Sequence, residues 1–398
     1  MDSTNKVRIT ALLGSGSTLQ VGGPTTTALS EAVRKKNQFI DEIGKRLDAL
    51  LLPTQCNFED IFDVLETLQS WGTGSAPGTA PRYKPREIPF LDHLDPRWLD
   101  PVKILDAVRD LIETVAEEVE QSEKLFSPDK LHRWFRNFWA LPKGDYAWDI
   151  GTLNYDDILE LALGDNNCED GYVDTGHGYC RFDPRRIAET QKTRLMHLHG
   201  SIRYGYPRAV VNQYLFEDTH EDLYKLPTPQ EARLTWFGRS THTSQSHRTN
   251  IIGPLITGLQ KPDKLTLYPY DQYQAVLRRC VQDSPRLLVV GYSFGDLYLN
   301  GILQRISRLH GDSRRVVVVT YFPHKEELWH PDPAVSEWLS EEMLGFLGRA
   351  ARQSEPLGNS HVFQNPIASK DGHCRIYLRG TEDAFSKNPQ DLIGFLLS

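Results

Sequence analysis

Two unbroken aliphatic runs, Arg286–Val290 (RLLVV) and Arg315–Tyr321 (RVVVVTY), narrow the fold more than any other part of the chain. A strand with one face in water alternates apolar and polar side chains. A strand without that alternation is buried on both faces, which is the habit of parallel sheets covered by helices. The first run ends in Gly291-Tyr292-Ser293-Phe294-Gly295-Asp296 and passes into a helical pattern through Leu297, Ile302, Leu303 and Ile306. Asp296 is placed to cap that helix. Strand, glycine turn, helix and strand make up the repeating half of a dinucleotide-binding sheet.

The N-terminus repeats the theme. Val7–Leu13 (VRITALL) is a strand pattern, followed at once by Gly14-Ser15-Gly16-Ser17-Thr18 and then Gly22-Gly23-Pro24-Thr25. Ala28–Leu52 reads as one amphipathic helix with Leu29, Val33, Ile40, Ile43 and Leu47 on one face. Glycines let backbone N–H groups approach phosphate oxygens, and a helix N-terminus adds positive dipole. Leu19 stands where the third glycine of GxGxxG belongs, so the turn alone reads either as a nucleotide site or as a plain tight turn.

Between these units lies Trp148–Leu163 (WDIGTLNYDDILELAL): a short apolar run, polar residues Thr152 to Asp156, then a helix through Ile158, Leu159, Leu161 and Ala162. Open α/β sheets place their chemistry where a strand ends in polar residues and feeds a helix. Asn154 is the first candidate for catalysis, the alternative being a turn residue that satisfies its own backbone. Asp156 is either a second catalytic residue or an N-cap. Thr193–Gly200 (TRLMHLHG) is a further strand, and His199 at its end is either a base or a structural histidine.

The remaining segments dress this framework. Asn57–Trp71 is a helix capped by Asn57 with Asp60 three residues on, and residues 72–89 are a Gly/Pro-rich loop. Val102–Glu123 is helical. Leu131–Ala140 carries Trp134, Phe135, Phe138 and Trp139, a stripe that suits a core or subunit contact better than base stacking. Residues 57–145 therefore form a helical insertion. Residues 164–179 read as a polar loop whose Asp, His and Cys match no metal-ligand spacing. Residues 205–270 read as an irregular insertion, with His242 and His247 in a surface loop. Pro333–Gln353 reads as a helix, and a strand at 375–378 plus a short helix to Leu397 close the chain. The expected architecture is α/β: a Rossmann-like doubly wound parallel sheet over residues 1–325, with a C-terminal appendage over 326–398.

The formal net charge of −8 argues against nucleic-acid binding by this chain alone. No apolar run is long enough to span a bilayer, and the first residues lack the pattern of a signal peptide. Five cysteines without a CxxC suggest neither disulfides nor a zinc knuckle, and point to a reducing cytoplasm with no metal in this chain.

Taken in order, the motifs resemble the sirtuin superfamily, and within it the bacterial sirtuin-like NAD hydrolases of antiphage defence. Sirtuins open with GAGxSxxxGxP. Here Gly14-Ser15-Gly16-Ser17-Thr18 and Gly22-Gly23-Pro24 keep that spacing, with Thr18 in place of the serine. The sirtuin TQNxD appears as Thr152-Leu153-Asn154-Tyr155-Asp156. The histidine-glycine of the sirtuin base corresponds to His199-Gly200, and the late glycine-threonine-serine to Gly291-Tyr292-Ser293. Leu159-Glu160 after NYD, and GYSFGD, are typical of the defence branch. The chain departs from deacetylating sirtuins in having no CxxC pairs, Thr25-Thr26-Thr27 after the proline, and Leu153 for the glutamine.

The resemblance implies cleavage of NAD to nicotinamide and ADP-ribose. Asn154 would orient the ribose hydroxyls and water, His199 would act as base, and Asp156 would contact the nicotinamide side or steady the loop. NAD would be held by Gly14, Ser15, Gly16, Thr18, Pro24, Thr25, Thr152, Gly291, Tyr292 and Ser293. It further implies a homo-oligomer gated by a HerA-type ATPase. The alternatives are an NAD or ADP-ribose sensing module without catalysis, and a zinc-free deacylase or ADP-ribosyl transferase.

Overall fold

In a computed structural model the described residues are 6–50, 55–72, 100–140, 146–164, 167–206, 222–233, 238–243, 249–252, 255, 268–321, 366–369 and 371–398. His247, the loop at 73–89 and the helix expected at Pro333–Gln353 lie outside them.

In chain order the strands are β1 (Val7–Leu13), β2 (Tyr146–Thr152), β3 (Cys168–Glu169), β4 (Tyr172–Asp174), β5 (Cys180–Phe182), β6 (Thr193–His197) and β7 (Tyr204–Gly205). They continue with β8 (Tyr224–Lys225), β9 (Gly238–Thr243), β10 (Thr249–Ile252), β11 (Arg286–Val290), β12 (Arg315–Val319), β13 (Ile367–Ala368) and β14 (Cys374–Tyr377). The main sheet runs β13-β14-β12-β11-β1-β2-β6-β3. Seven of its strands are parallel, and only the edge strand β13 is antiparallel. The doubly wound reading of the sequence holds. β1 is central: the chain first winds outward through β2 to β6, then returns to lay β11, β12 and β14 on the other side. The reversal falls between β1 and β11, where such sheets open a crevice at the carboxyl ends of their strands.

The helices are α1 (Thr26–Lys36), α2 (Gln38–Leu50), α3 (Phe58–Gly72), α4 (Pro101–Glu123), α5 (Arg133–Ala140), α6 (Ile158–Leu163) and α7 (Pro184–Glu189). Later ones follow at Pro229–Arg233, Tyr270–Asp283, Leu297–Leu303, Arg305–His310, Gly380–Lys387 and Pro389–Leu397. Strand residues alternate between two cores. Leu12, Met196, Leu287, Val289, Val316 and Val318 face the helix Tyr270–Asp283 and the helices after β11. Ile9, Ala11, Leu13, Trp148, Ile150, Leu288 and Val317 face α5, α6 and the C-terminal helices. A third core joins α1 to α4.

Several expectations change. The single helix at 28–52 is two, because Asn37 adopts an extended backbone (φ −140°, ψ 121°) and its Oδ1 accepts from Phe39 N at 2.9 Å to start α2. Burial of Leu29, Val33, Ile40 and Ile43 survives the break, so periodicity alone did not show it. The polar stretch at 164–179 contributes β3, β4 and part of the sheet β4-β5-β8-β7, and the irregular segment contributes β8 and the pair β9/β10, with His242 in β9. The C-terminal strand belongs to the main sheet: β14 pairs in parallel with β12 along Val316–Val319. The aromatic stripe is core. Phe135, Phe138 and Trp139 are buried, and Phe138 stacks on Phe385 with ring centroids 3.5 Å apart.

Candidate active site at the sheet reversal

The turns that end four neighbouring strands meet around one cavity of about 350 Å³. β1 supplies Gly14, Ser15 and Thr18; β2 supplies Leu153 to Asp156; β6 is followed by His199; β11 is followed by Gly291, Tyr292, Ser293, Gly295 and Asp296. The helical layer closes the far side with Pro24, Thr26 and Leu29, with Asn57 to Glu59, and with Val119.

The first and last turns are locked together through their glycines. Gly14 N donates to Val290 O and Gly16 N to Gly291 O, both at 2.9 Å. Gly291 has φ +59°, and a Cβ there would stand 2.1 Å from Ser17 N. Only glycine allows this approach of two backbones. The adjoining Phe294 is a non-glycine residue at φ 59°, a strained conformation held by Asn300 Nδ2, which donates to Phe294 O at 2.7 Å.

Asn154 is buried, and the hydroxyls of the first turn set its amide. Ser17 Oγ spends its proton on Gly14 O at 2.7 Å, so it can only accept from Asn154, at 3.3 Å. The atom facing it is therefore the Nδ2 amine, which also donates to Thr18 Oγ1 at 3.1 Å. The amide Oδ1, bonded to no described group, remains available as an acceptor on a cavity-lining residue. The backbone is held as well: Asn154 N donates to Thr152 Oγ1 at 3.1 Å.

His199 Nε2 lies 3.2 Å from Asp296 Oδ2. A neutral imidazole whose Nε2–H is donated to a carboxylate keeps its lone pair on Nδ1. Asp156 is buried, accepts from Ile158 N at 3.2 Å through Oδ1, and receives the Thr18 hydroxyl on Oδ2 at 3.4 Å. It therefore braces the first N–H of α6 from the residue before the N-cap, Asp157, and forms part of the cavity wall. Burial, only partly offset by the bond from Ile158, pushes its carboxyl up to about 7.

A second polar layer lies beneath. His197 is fully buried, with Nε2 2.7 Å from Glu160 Oε1 and Nδ1 3.4 Å from Asn154 O. Burial disfavours its charged form, but Glu160 outweighs this and the histidine titrates above its ordinary value. Charged, it donates from both nitrogens and ties the Asn154 carbonyl to α6. Asp157, Glu160 and His197 converge as three potential metal ligands. Arg203, 3.3 Å from Asp157, and Lys225, 3.6 Å from Glu160, already bring positive charge there.

Of the residues singled out in the sequence, Asn154, Asp156, His199, Gly14, Ser15, Thr18, Pro24, Gly291, Tyr292 and Ser293 line the cavity. Gly16, Thr25 and Thr152 stand behind it: Gly16 packs on Gly291, Thr25 Oγ1 caps α1 by accepting from Ala28 N at 3.0 Å, and Thr152 holds Asn154. Sequence reasoning took Asp296 only as a helix cap, and it missed Tyr155, His197 and the contributions of α3 and α4. The HLH of Thr193–Gly200 carried the one available signal for His197.

Residues 149–342 match the family model of the SIR2-like domain. No curated protein matches the chain. SIR2-like domains use NAD and are typically NAD-dependent enzymes. The SIR2-like stretch contains Asn154, Asp156, His199 and the turn after β11. The first glycine turn lies outside it, yet the pairing of Gly14 and Gly16 with β11 makes that turn one wall of the same cavity.

Proposed function

We propose that the chain is an NAD hydrolase that releases nicotinamide and ADP-ribose. The observation that carries the reading is the fixed amide of Asn154, whose oxygen, bonded to no described group, belongs to a residue lining the same cavity as His199 at the sheet reversal of a SIR2-like region. Nicotinamide leaves a cationic pyridinium as a neutral molecule, through an oxocarbenium-like state as in glycoside cleavage. The protein then has little leaving-group protonation to perform. It must position a nucleophile and take up one proton. Asn154 Oδ1 accepts from the attacking water or a ribose hydroxyl, and His199 Nδ1, oriented through Asp296, receives the proton. The backbone N–H groups of the first glycine turn and the start of α1 suit the pyrophosphate.

The setting that goes with this reading is antiphage defence by NAD depletion in the cytoplasm, gated by self-assembly with a HerA-type ATPase. Its support is the resemblance of the NYD-x-x-LE and GYSFGD motifs. The test is nicotinamide release from NAD by the purified chain, with and without such an ATPase, and with Asn154→Ala beside it. Release that disappears in Asn154→Ala supports the hydrolase. NAD that binds without being cut under every condition points instead to a sensing module.

A further inference from the structure

The helical layer brings a single ionisable side chain to the cavity among the described residues, Glu59 in the first turn of α3. Capping of α3 does not require it. Asn57 Oδ1 accepts from Glu59 N at 2.7 Å and from Asp60 N at 3.2 Å, while Asp60 Oδ2 accepts from Asn57 N at 2.8 Å. This reciprocal pair meets the needs of the helix start. The Glu59 carboxylate has no hydrogen bond or ion pair among the described residues. It is half-buried and lines the cavity. The other ionisable side chains lining the cavity are Asp156, Asp296, His199, Tyr155 and Tyr292, with neither lysine nor arginine among the described ones.

A carboxylate in such a wall suits a vicinal diol, whose two hydroxyls it accepts, and repels a phosphate ester at the same place. We propose that Glu59 reads the adenosine-ribose diol of the bound dinucleotide, the diol that carries the extra phosphate in NADP, and so makes the site selective for NAD over NADP. This rests on the NAD reading above. The helical insertion is then part of the substrate site as well as a cover for it: it decides which dinucleotide enters, while the sheet turns supply the chemistry.

The test is calorimetric titration of the full chain with NAD, NADP and ADP-ribose at low temperature, for wild type, Glu59→Gln and Glu59→Arg. Far-UV circular dichroism checks that each variant is folded. Wild type is expected to favour NAD over NADP by about tenfold or more, a factor typical of one like-charge contact in a partly buried site. Glu59→Gln should narrow that ratio to about threefold or less, chiefly by tightening NADP, and Glu59→Arg should invert it. Equal affinity of wild type for NAD and NADP, with nicotinamide release intact, overturns the role of Glu59 and leaves the hydrolase reading standing. So does a Glu59→Gln protein with an unchanged NAD/NADP ratio. A wild-type chain that binds none of the three nucleotides and releases no nicotinamide overturns the NAD reading and this proposal together.

Discussion

His199 and Asp296 lie 97 positions apart in sequence and touch through Nε2 and Oδ2 at 3.2 Å. Asp296 cannot drift from this contact, because its other oxygen accepts from Tyr298 N at 3.0 Å and Leu299 N at 3.2 Å. One carboxylate thus anchors a helix and orients an imidazole. His199→Ala is expected to lower nicotinamide release roughly 100-fold or more, on general-base magnitudes. Asp296→Asn keeps an N-cap of similar strength but loses the charge beside the imidazole, so its loss should fall on kcat with little change in thermal stability. A variant with wild-type kcat would remove Asp296 from the mechanism.

The close approach of the two glycine turns makes an unequal pair of substitutions. Gly291→Ala drives a Cβ to 2.1 Å from Ser17 N, so Tm should fall by an amount matching roughly 3 kcal/mol or more, with nucleotide binding lost. Gly176 has a similar φ of +74° but nothing within 4 Å of its Cβ position. Gly176→Ala should therefore cost only the backbone term, about 1 kcal/mol. Equal effects of the two in thermal melts would contradict the packing described.

Asp156 should make stability fall as pH rises. Its carboxyl is pushed up to about 7 by burial, whereas an unfolded aspartate titrates near ~3.9. Between these values the folded chain keeps a proton that the unfolded chain has released. Stability from this group is therefore greatest below about pH 4 and is lost as the pH climbs to about 7. Asp156→Asn should melt above wild type at pH 7.5 and close to it at pH 4. A gap in Tm that is constant across this range would show that Asp156 is not a buried, neutral-preferring acid.

The C-terminal helices should behave as core. Phe385 stacks on Phe138 at 3.5 Å between centroids and also meets Trp139 edge-on at 5.7 Å. Phe385→Ala should destabilise the whole domain by about 3–5 kcal/mol, and denaturant unfolding should stay a single transition. A separate early transition, leaving the rest of the protein at wild-type stability, would make the C-terminal segment an independent appendage.

Much of this architecture could be read from local chemistry. Unalternating strands such as Arg286–Val290 require cover on both faces, and that alone selects a helix-flanked parallel sheet. Glycine turns following strands, with Asn154 and His199 at strand ends, mark the edge where ligands bind. Signals of this kind survive in sequence because each depends on a few neighbouring residues. Asn37 escaped because its two flanking helices share one apolar face. The strand at 375–378 was legible, but its place in the main sheet was not, because a four-residue strand acquires its meaning only from the partner it pairs with.

By itself, the sequence determined the class of fold, the carboxyl-end location of the site and half of the residues that line it, since hydrophobic period and turn chemistry are local properties. Only the tertiary structure decided that Ser17 orients the Asn154 amide, that Asp296 holds His199, that His197 supports the layer beneath and that Glu59 faces the same cavity. Those relationships join groups 37 to 137 positions apart, or a helix to a distant sheet edge. The order in which strands assemble brings such groups together, and no local pattern encodes that order.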